Sequence, residues 1–299
     1  MNKPKFWDYQ KISIWSILLF PLSIIYLFLV LITKIKSFFR NYKNPIPIIC
    51  IGNIYVGGTG KTPLAAEIYK FIKSTGKKPS FIKKHYDFLF DEINMLSEIG
   101  DTFYAKDRIT AVDLSVSNGN NVAILDDGFQ DFSIKPNLSI ICFHSKQLIG
   151  NGLIIPSGPL RERLNSVLRA DCVVINGDRT HETQMFEEKI NKISNQKKMQ
   201  FFYSKYKIKN IKDLINKEIT AFAGIGNPTN FFDLLKENKL NVKRTFSFPD
   251  HHNYTQKDFE KITGDKSTKI FTTKKDYFRL NNKQKEICEY VEINLEIEN

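Results

Sequence analysis

The hydrophobic pattern along the chain is dominated by short apolar runs that alternate with amphipathic stretches. Residues 12–32 come first, an apolar stretch of about twenty residues without a charge, long enough to span or lie in a bilayer. The run Ile48–Ile51 reads as a buried strand, and 64–73 as a helix. Pro79–Ile82 begins a strand, and an amphipathic run follows Asp91-Glu92. Short strands are predicted at 103–105, 121–126, 138–143 and 170–176, with a helix over 107–117. Residues 181–200 read as a polar, exposed helix, and 199–211 as a connecting strand pair. A second series follows: a strand at 218–224, a helix at 229–236, a strand ending at Phe246–His252, and another beginning at Ile270. Strands that alternate with helices predict an α/β protein whose parallel sheet is covered on both faces.

This order suggests three parts. They are an N-terminal membrane-associated helix and basic flank (1–43), a domain over 44–200, and a smaller C-terminal α/β domain over 201–299 with connecting strands. No repeat at a fixed period and no low-complexity tract interrupts them.

Chemistry concentrates at the ends of the predicted strands. After Ile48–Ile51 comes Val56-Gly57-Gly58-Thr59-Gly60-Lys61-Thr62-Pro63. Strand, glycine turn and helix start in this order form a phosphate cradle, a P-loop. Backbone N–H groups of Gly57, Gly58, Thr59 and Gly60 would meet phosphate oxygens, Lys61 would reach the β/γ-phosphates, and the Thr62 hydroxyl would bind Mg²⁺. The strict pattern G-x-x-x-x-G-K-[ST] lacks its first glycine, where Tyr55 stands. The strand at 121–126 ends in Asp126-Asp127-Gly128. A carboxylate there holds Mg²⁺ in P-loop enzymes, and the sequence leaves open which of the two does so. Asp91 and Glu92 follow another strand end, and Arg161 closes a Gly/Pro-rich loop and suits a phosphate oxygen. The turn Gly224-Ile225-Gly226 lacks the third glycine of a dinucleotide fingerprint.

Composition narrows the partners. The chain has 299 residues, of which 42% are hydrophobic and 25% charged, enough for about two cored domains. Its net charge of +12 favours anionic partners, but the charge is dispersed, without the basic tract of a nucleic-acid module. Lys34, Lys36, Arg40 and Lys43 follow the apolar run and suit an anionic membrane surface, with Trp7, Tyr9 and Trp15 as interfacial residues. The four cysteines are far apart and lack metal or disulfide spacing, which predicts buried free thiols.

These motifs, with Gly150-Asn151-Gly152, Pro156–Glu162, Ala223–Pro228, Asp250-His251 and Thr273-Lys274-Lys275-Asp276, resemble the tetraacyldisaccharide 4′-kinase family, the lipid A kinases of Gram-negative bacteria. The resemblance runs along most of the chain. It implies a P-loop kinase domain, a second α/β domain and a place on the cytoplasmic face of the inner membrane. It also implies Mg·ATP as phosphate donor and, as acceptor, the 4′-hydroxyl of a tetraacylated glucosamine disaccharide 1-phosphate, a lipid A precursor. On this resemblance Asp91, or Glu92 in its place, orients His251 as the base, and Lys61 completes the catalytic set. Thr62, Glu92, Asp126 or Asp127 would hold the metal, and Tyr86 and Arg161 would touch the lipid substrate. Acyl-chain preference and oligomeric state are left open.

The chain departs from the family at two places. Lys83-Lys84-His85-Tyr86-Asp87 stands where Ser-Arg-Gly-Tyr-Gly is usual, and Ile93 replaces the proline of Asp-Glu-Pro. The competing reading is a membrane-associated GTPase or a nucleotide sensor, because Thr273-Lys274-Lys275-Asp276 fits the T-K-x-D motif that reads guanine.

Overall fold

The structure is a computed structural model that describes residues 4–9, 11–38, 42–85, 90–195, 198–265 and 267–298, without the side chains of residues 38, 90 and 91. In chain order it contains α1 (Ile14–Phe38), β1 (Ile48–Gly52), α2 (Lys61–Ser74), β2 (Pro79–Lys84), α3 (Phe90–Ser97) and β3 (Thr102–Ala105). Then come α4 (Arg108–Ser117), β4 (Val122–Asp126), β5 (Leu138–His144), β6 (Cys172–Asn176), α5 (His181–Ser194) and β7 (Gln200–Ile208). The C-terminal third holds α6 (Ile211–Leu214), β8 (Glu218–Ala223), α7 (Pro228–Glu237), β9 (Asn241–Ser247), α8 (Gln256–Ile262) and β10 (Lys269–Thr273). Two short helices, α9 (Lys274–Phe278) and α10 (Asn282–Lys285), precede β11 (Glu289–Val291) and β12 (Ile293–Glu298).

The chain divides into two compact units. The larger holds the described residues as far as His85, then Ile99–Lys205 and the last residues of β12. The smaller holds Tyr206–Leu295 together with α3 and Glu98, although α3 lies inside the span 44–200. The larger sheet has eight strands in the order β12-β7-β6-β5-β1-β4-β2-β3. Every pairing from β7 through β3 is parallel. Within residues 199–211, expected as a strand pair, Gln200–Ile208 form the single strand β7, which pairs with β6, and Ile211 already opens α6.

Register places the site of the larger unit. Ile51 of β1 lies opposite Asp126, the last residue of β4, and Ile82 of β2 opposite Leu125. Three strands therefore end at one edge of the sheet and deliver Gly52, Asp126 and Lys83 there. Ligands of open parallel sheets bind at this carboxyl edge. On one face Ile48 and Cys50 pack with Ile82, Ala123 and Leu125. A second core cluster gathers Phe143, Val173 and Ile175 against Phe186 and Ile190 of α5. That i,i+4 pair makes α5 amphipathic rather than exposed all round. Burial pushes the Cys50 thiol up to about 12; Cys142 and Cys288 are also buried, whereas Cys172 is only partly so, and none of the four is in a disulfide.

Helix α1 presents an outer face of large apolar side chains, among them Trp15, Phe20, Ile24, Phe28 and Leu31, each at least half exposed. Its buried positions are Ser16 and Ser23. The Ser23 hydroxyl lies 2.9 Å from the Ile154 carbonyl and 2.8 Å from the Ser157 hydroxyl, and it accepts from the Ser157 amide at 3.1 Å. The helix docks through its serines and through Tyr26 and Leu27, which pack against the core, and keeps most of its apolar side chains outward. Its segment Ile14–Ser37 is long and apolar enough to cross a membrane. Trp7 does not sit at an exposed interface as expected. It is buried, and its indole N–H donates to the Pro156 carbonyl at 2.9 Å.

The smaller unit is a four-stranded parallel sheet in the order β11-β10-β8-β9. One cluster packs α7 through Phe231, Phe232 and Leu235, and another packs α8 through Phe259 and Ile262. Pro228 opens α7 at the first helical turn, where its missing N–H costs nothing.

Candidate active site

The glycine-rich turn links β1 to α2. Gly57 has φ +130° and Gly60 φ +90°, a region that side chains other than glycine rarely enter. Tyr55, where the strict motif has glycine, has no such strain because it is braced from outside. It forms a bridge with Leu160, and the next amide, Val56, donates to the Pro159 carbonyl at 2.8 Å. Its ring is fully buried and its hydroxyl donates to Asp8 at 2.7 Å. The departure from the motif therefore serves packing and leaves the cradle intact. Within the turn the buried Asn53 amide donates to the Tyr55 carbonyl at 2.6 Å and to the Thr59 hydroxyl at 2.9 Å. Lys61 and Thr62 open α2, whose first N–H groups lack intrahelical partners and carry the positive end of the dipole.

The acidic strand end faces this helix start. The Thr62 hydroxyl donates to Asp126 Oδ2 at 3.0 Å. The ammonium of Lys83, 3% exposed, donates to the same oxygen at 2.9 Å. The other oxygen, Asp126 Oδ1, is buried without a partner. Asp127 takes a left-handed φ of 56° and turns the other way. Arg161 donates to its two oxygens at 2.9 and 3.1 Å, and Lys61 lies 3.7 Å away. Burial alone would raise the Asp127 carboxyl, but Lys61, Arg161 and Lys83 outweigh it and hold the group well below the ordinary carboxylate range.

Arg161, read as a phosphate ligand, is thus tied to a carboxylate and to Gln130 at 3.1 Å. Gln130 in turn donates to the Asn53 carbonyl at 2.7 Å, and Glu162 forms a two-pronged pair with Arg169 at 2.8 and 2.9 Å. This network ties the loop before α2 to the segment Pro156–Glu162.

Asp126 and Thr62 fit a divalent ion. A buried carboxylate oxygen without a partner lies beside a hydroxyl held on the same carboxylate. Among the described residues no three or more His, Cys, Asp or Glu side chains form a metal cluster. Mg²⁺ takes one or two protein oxygens and completes its shell with phosphates and water.

The smaller unit gathers a second constellation. His251 follows β9 with a left-handed φ of 58°. Arg279 lies 3.3 Å from its Nδ1, and the Lys275 ammonium lies 3.3 Å from its Nε2. Lys275 also pairs with Glu92 at 3.0 Å and lies 3.6 Å from Asp250. Glu92, expected among the metal ligands, is therefore placed beside His251 within the smaller unit. Helix α3 also carries Asp91, whose side chain lies outside the described residues, as does Tyr86. His252 has a structural place, stacked on Phe248 with ring centroids 4.8 Å apart and bonded to Asp258 at 3.0 Å.

The T-K-x-D segment does not present its carboxylate for reading a base. Asp276 is fully buried and accepts from the Gly224 amide at 3.1 Å, Thr273 at 2.7 Å, Tyr254 at 2.8 Å and Arg279 at 3.0 Å. It joins the starts of α9 and of the Gly224 turn. A Cβ at Gly224 would lie 2.8 Å from the Tyr254 hydroxyl and 3.2 Å from Asp276, so this glycine permits close packing.

Sequence reasoning missed Lys83, Gln130, Glu162, Lys275 and Arg279 as parts of these constellations. For Lys83 a signal existed, since a lysine inside the apolar run of β2 must find an anion.

The sequence profile of the family Tetraacyldisaccharide-1-P 4'-kinase matches residues 15–92 and 90–299. The tetraacyldisaccharide 4'-kinase of Pelagibacter ubique is 42% identical over 301 residues, covering 99% of this chain and 94% of that protein. The enzyme of the same name from Francisella tularensis subsp. novicida is 30% identical and covers 98% of each. The crystal structure of the "apo" form of LpxK from Aquifex aeolicus in complex with ATP superposes with a TM-score of 0.70 over 95% of each chain at 24% identity, which establishes the shared fold. The two α/β units thus form a known fold, and this chain belongs to the tetraacyldisaccharide-1-P 4′-kinase family, enzymes that transfer phosphate to a hydroxyl.

Proposed function

We propose that the protein transfers the γ-phosphate of ATP to the 4′-hydroxyl of a tetraacyl glucosamine disaccharide 1-phosphate, on the cytoplasmic face of the inner membrane. The observation that carries this reading is the Thr62–Asp126–Lys83 cluster at the start of α2, beside the Lys61–Asp127–Arg161 cluster. Phosphoryl transfer needs positioning and charge neutralisation more than covalent help. The N–H groups of the turn and of the start of α2 bind and orient the phosphates. Lys61 balances negative charge on the transferred group, and Asp127 keeps Lys61 directed until the nucleotide enters. Thr62 and Asp126 would hold Mg²⁺, which neutralises charge on the phosphate oxygens when bound.

His251 is the base in this reading. A sugar hydroxyl is a weak nucleophile at neutral pH, and a positioned base contributes about 10²–10⁴-fold. Arg279 and Lys275 lie beside the two ring nitrogens; a neutral imidazole has one lone pair, so the cation at the nitrogen that takes the hydroxyl proton must move off it, while Glu92 holds Lys275 and Asp91 or Glu92 orients the histidine. Arg161 and Tyr86 bind the lipid substrate. The outward apolar face of α1 and Lys34 and Lys36 at its end suit an anionic leaflet, where each basic residue contributes about 1 kcal/mol. The test is turnover of purified protein with ATP and the lipid disaccharide. His251→Ala is expected to lower kcat at least about 100-fold with KM for ATP little changed. Turnover within about threefold of wild type would remove His251 from the base role.

A further inference from the structure

We infer that Asn53 is a positioning residue of the phosphate-binding turn: its side-chain NH₂ draws carbonyls of the turn inward before a nucleotide arrives, and so leaves an N–H of the turn facing outward. The inference rests on the reading that the turn between β1 and α2 binds ATP. Asn53 follows β1 directly and is fully buried. Its Nδ2 lies 2.6 Å from the Tyr55 carbonyl, 2.9 Å from the Thr59 hydroxyl and 3.4 Å from the Gly57 carbonyl. A carbonyl can only accept, so the atom that faces these two is the nitrogen of the amide and not its oxygen. The oxygen, Oδ1, is buried without a partner. The Asn53 side chain thus holds the turn as a donor alone. From behind, Gln130 donates to the Asn53 backbone carbonyl at 2.7 Å.

Peptide planarity turns this grip into an orientation. Across a trans peptide the C=O of one residue and the N–H of the next point in opposite directions. The first link shows it. The Tyr55 carbonyl faces Asn53, and the Val56 amide of the same plane donates the other way, to the Pro159 carbonyl at 2.8 Å. By the same rule the Gly57 carbonyl, facing Asn53, turns the Gly58 N–H away from the core. Gly58 is exposed, and a Cβ built on it would meet nothing within 4 Å. Its N–H therefore opens onto free space that an anion can enter. The Thr59 hydroxyl, 1% exposed, anchors the far side of the turn on the same NH₂. A turn fixed in advance gives up less conformational freedom when phosphates bind.

The experiment is steady-state kinetics of the full chain in mixed micelles, with ATP and the tetraacyldisaccharide 1-phosphate varied separately, for wild type and Asn53→Ala. Loss of the contacts to the turn should raise KM for ATP at least about tenfold and leave KM for the lipid within about threefold of wild type. A merely structural role would lower kcat with the fraction of folded protein and leave both KM values unchanged, which would overturn the inference. An equal rise in both KM values would do the same. Should Asn53→Ala fail to fold, wild type decides alone. In nucleotide-free, isotope-labelled protein the Asn53 Nδ2 protons should exchange slowly by NMR, and exchange as fast as that of an exposed asparagine would overturn the inference. If wild type leaves the lipid unphosphorylated, the kinase reading falls, and titration with a fluorescent ATP analogue, with the same tenfold difference expected, still tests Asn53. Failure of wild type to bind that analogue would overturn both.

Discussion

Asp276→Asn separates the kinase reading from the guanine-reading alternative. Asp276 is fully buried, and its two oxygens accept four hydrogen bonds, one of them from the 8% exposed Arg279 side chain. Asparagine keeps one acceptor oxygen and replaces the other with an NH₂ group. Whichever way the amide turns, that NH₂ faces two donors: the Gly224 amide and Thr273 hydroxyl, or Tyr254 and Arg279. The facing hydroxyl, of Thr273 or Tyr254, can turn to accept from the NH₂, but the fixed donor beside it, the Gly224 amide or Arg279, loses its acceptor at about 1–3 kcal/mol, and the charge on Arg279 loses its counter-ion. A total of about 3–5 kcal/mol is a large part of the stability of a domain of this size. For a unit of roughly 100 residues each kcal/mol lowers Tm by about 4–8 °C, so thermal unfolding should show a drop of at least about 12 °C. Nucleotide preference should not change. A Tm within 2 °C of wild type, or a shift in the choice between ATP and GTP, would refute the reasoning.

Two further tests address parts of the fold that serve the site. Ser23→Ala leaves the Ser157 amide without its acceptor, at a cost of about 1–3 kcal/mol, and should lower the melting midpoint in detergent by several degrees. An unchanged midpoint would mean that α1 is not docked through its serines. Asp258 is held at about 2, against an ordinary value of 3.8; burial alone would raise it, but the Thr255 amide and hydroxyl and His252 prevail. A depressed carboxyl contributes stability above its unfolded value and loses it as pH falls. The gap in Tm between wild type and Asp258→Asn should therefore narrow from pH 5 to pH 2.5, and a gap independent of pH would contradict the assignment.

Much of the site was legible because strand ends and glycine turns leave local marks. Gly57 and Gly60 take backbone angles that glycine favours, and Asp126 ends an apolar strand, so both could be read without a partner in view. The parallel α/β class was legible for the same reason. What could not be read depends on contacts far apart in the chain. Tyr55 looked like a missing glycine because its brace, Leu160, lies more than 100 residues away. Helix α3 sits between β2 and β3 in sequence but belongs to the smaller unit, where Glu92 finds Lys275. Asp276 carries the letters of a base-reading motif, and only its four hydrogen bonds show its structural place. Trp7 has the composition of an interfacial residue, yet its N–H is satisfied by Pro156 inside the larger unit.

The most direct measurement is the fate of the γ-phosphate. Purified protein in mixed micelles, given γ-labelled ATP, Mg²⁺ and the tetraacyldisaccharide 1-phosphate, should yield a lipid carrying label on the 4′-oxygen. Product mass and position can be read by mass spectrometry and phosphorus NMR. Lys61→Ala should reduce that product at least about 100-fold, the loss expected when a charge on the transferred group is left unbalanced. Label found only in inorganic phosphate, or lipid labelling that persists in Lys61→Ala, would contradict the account.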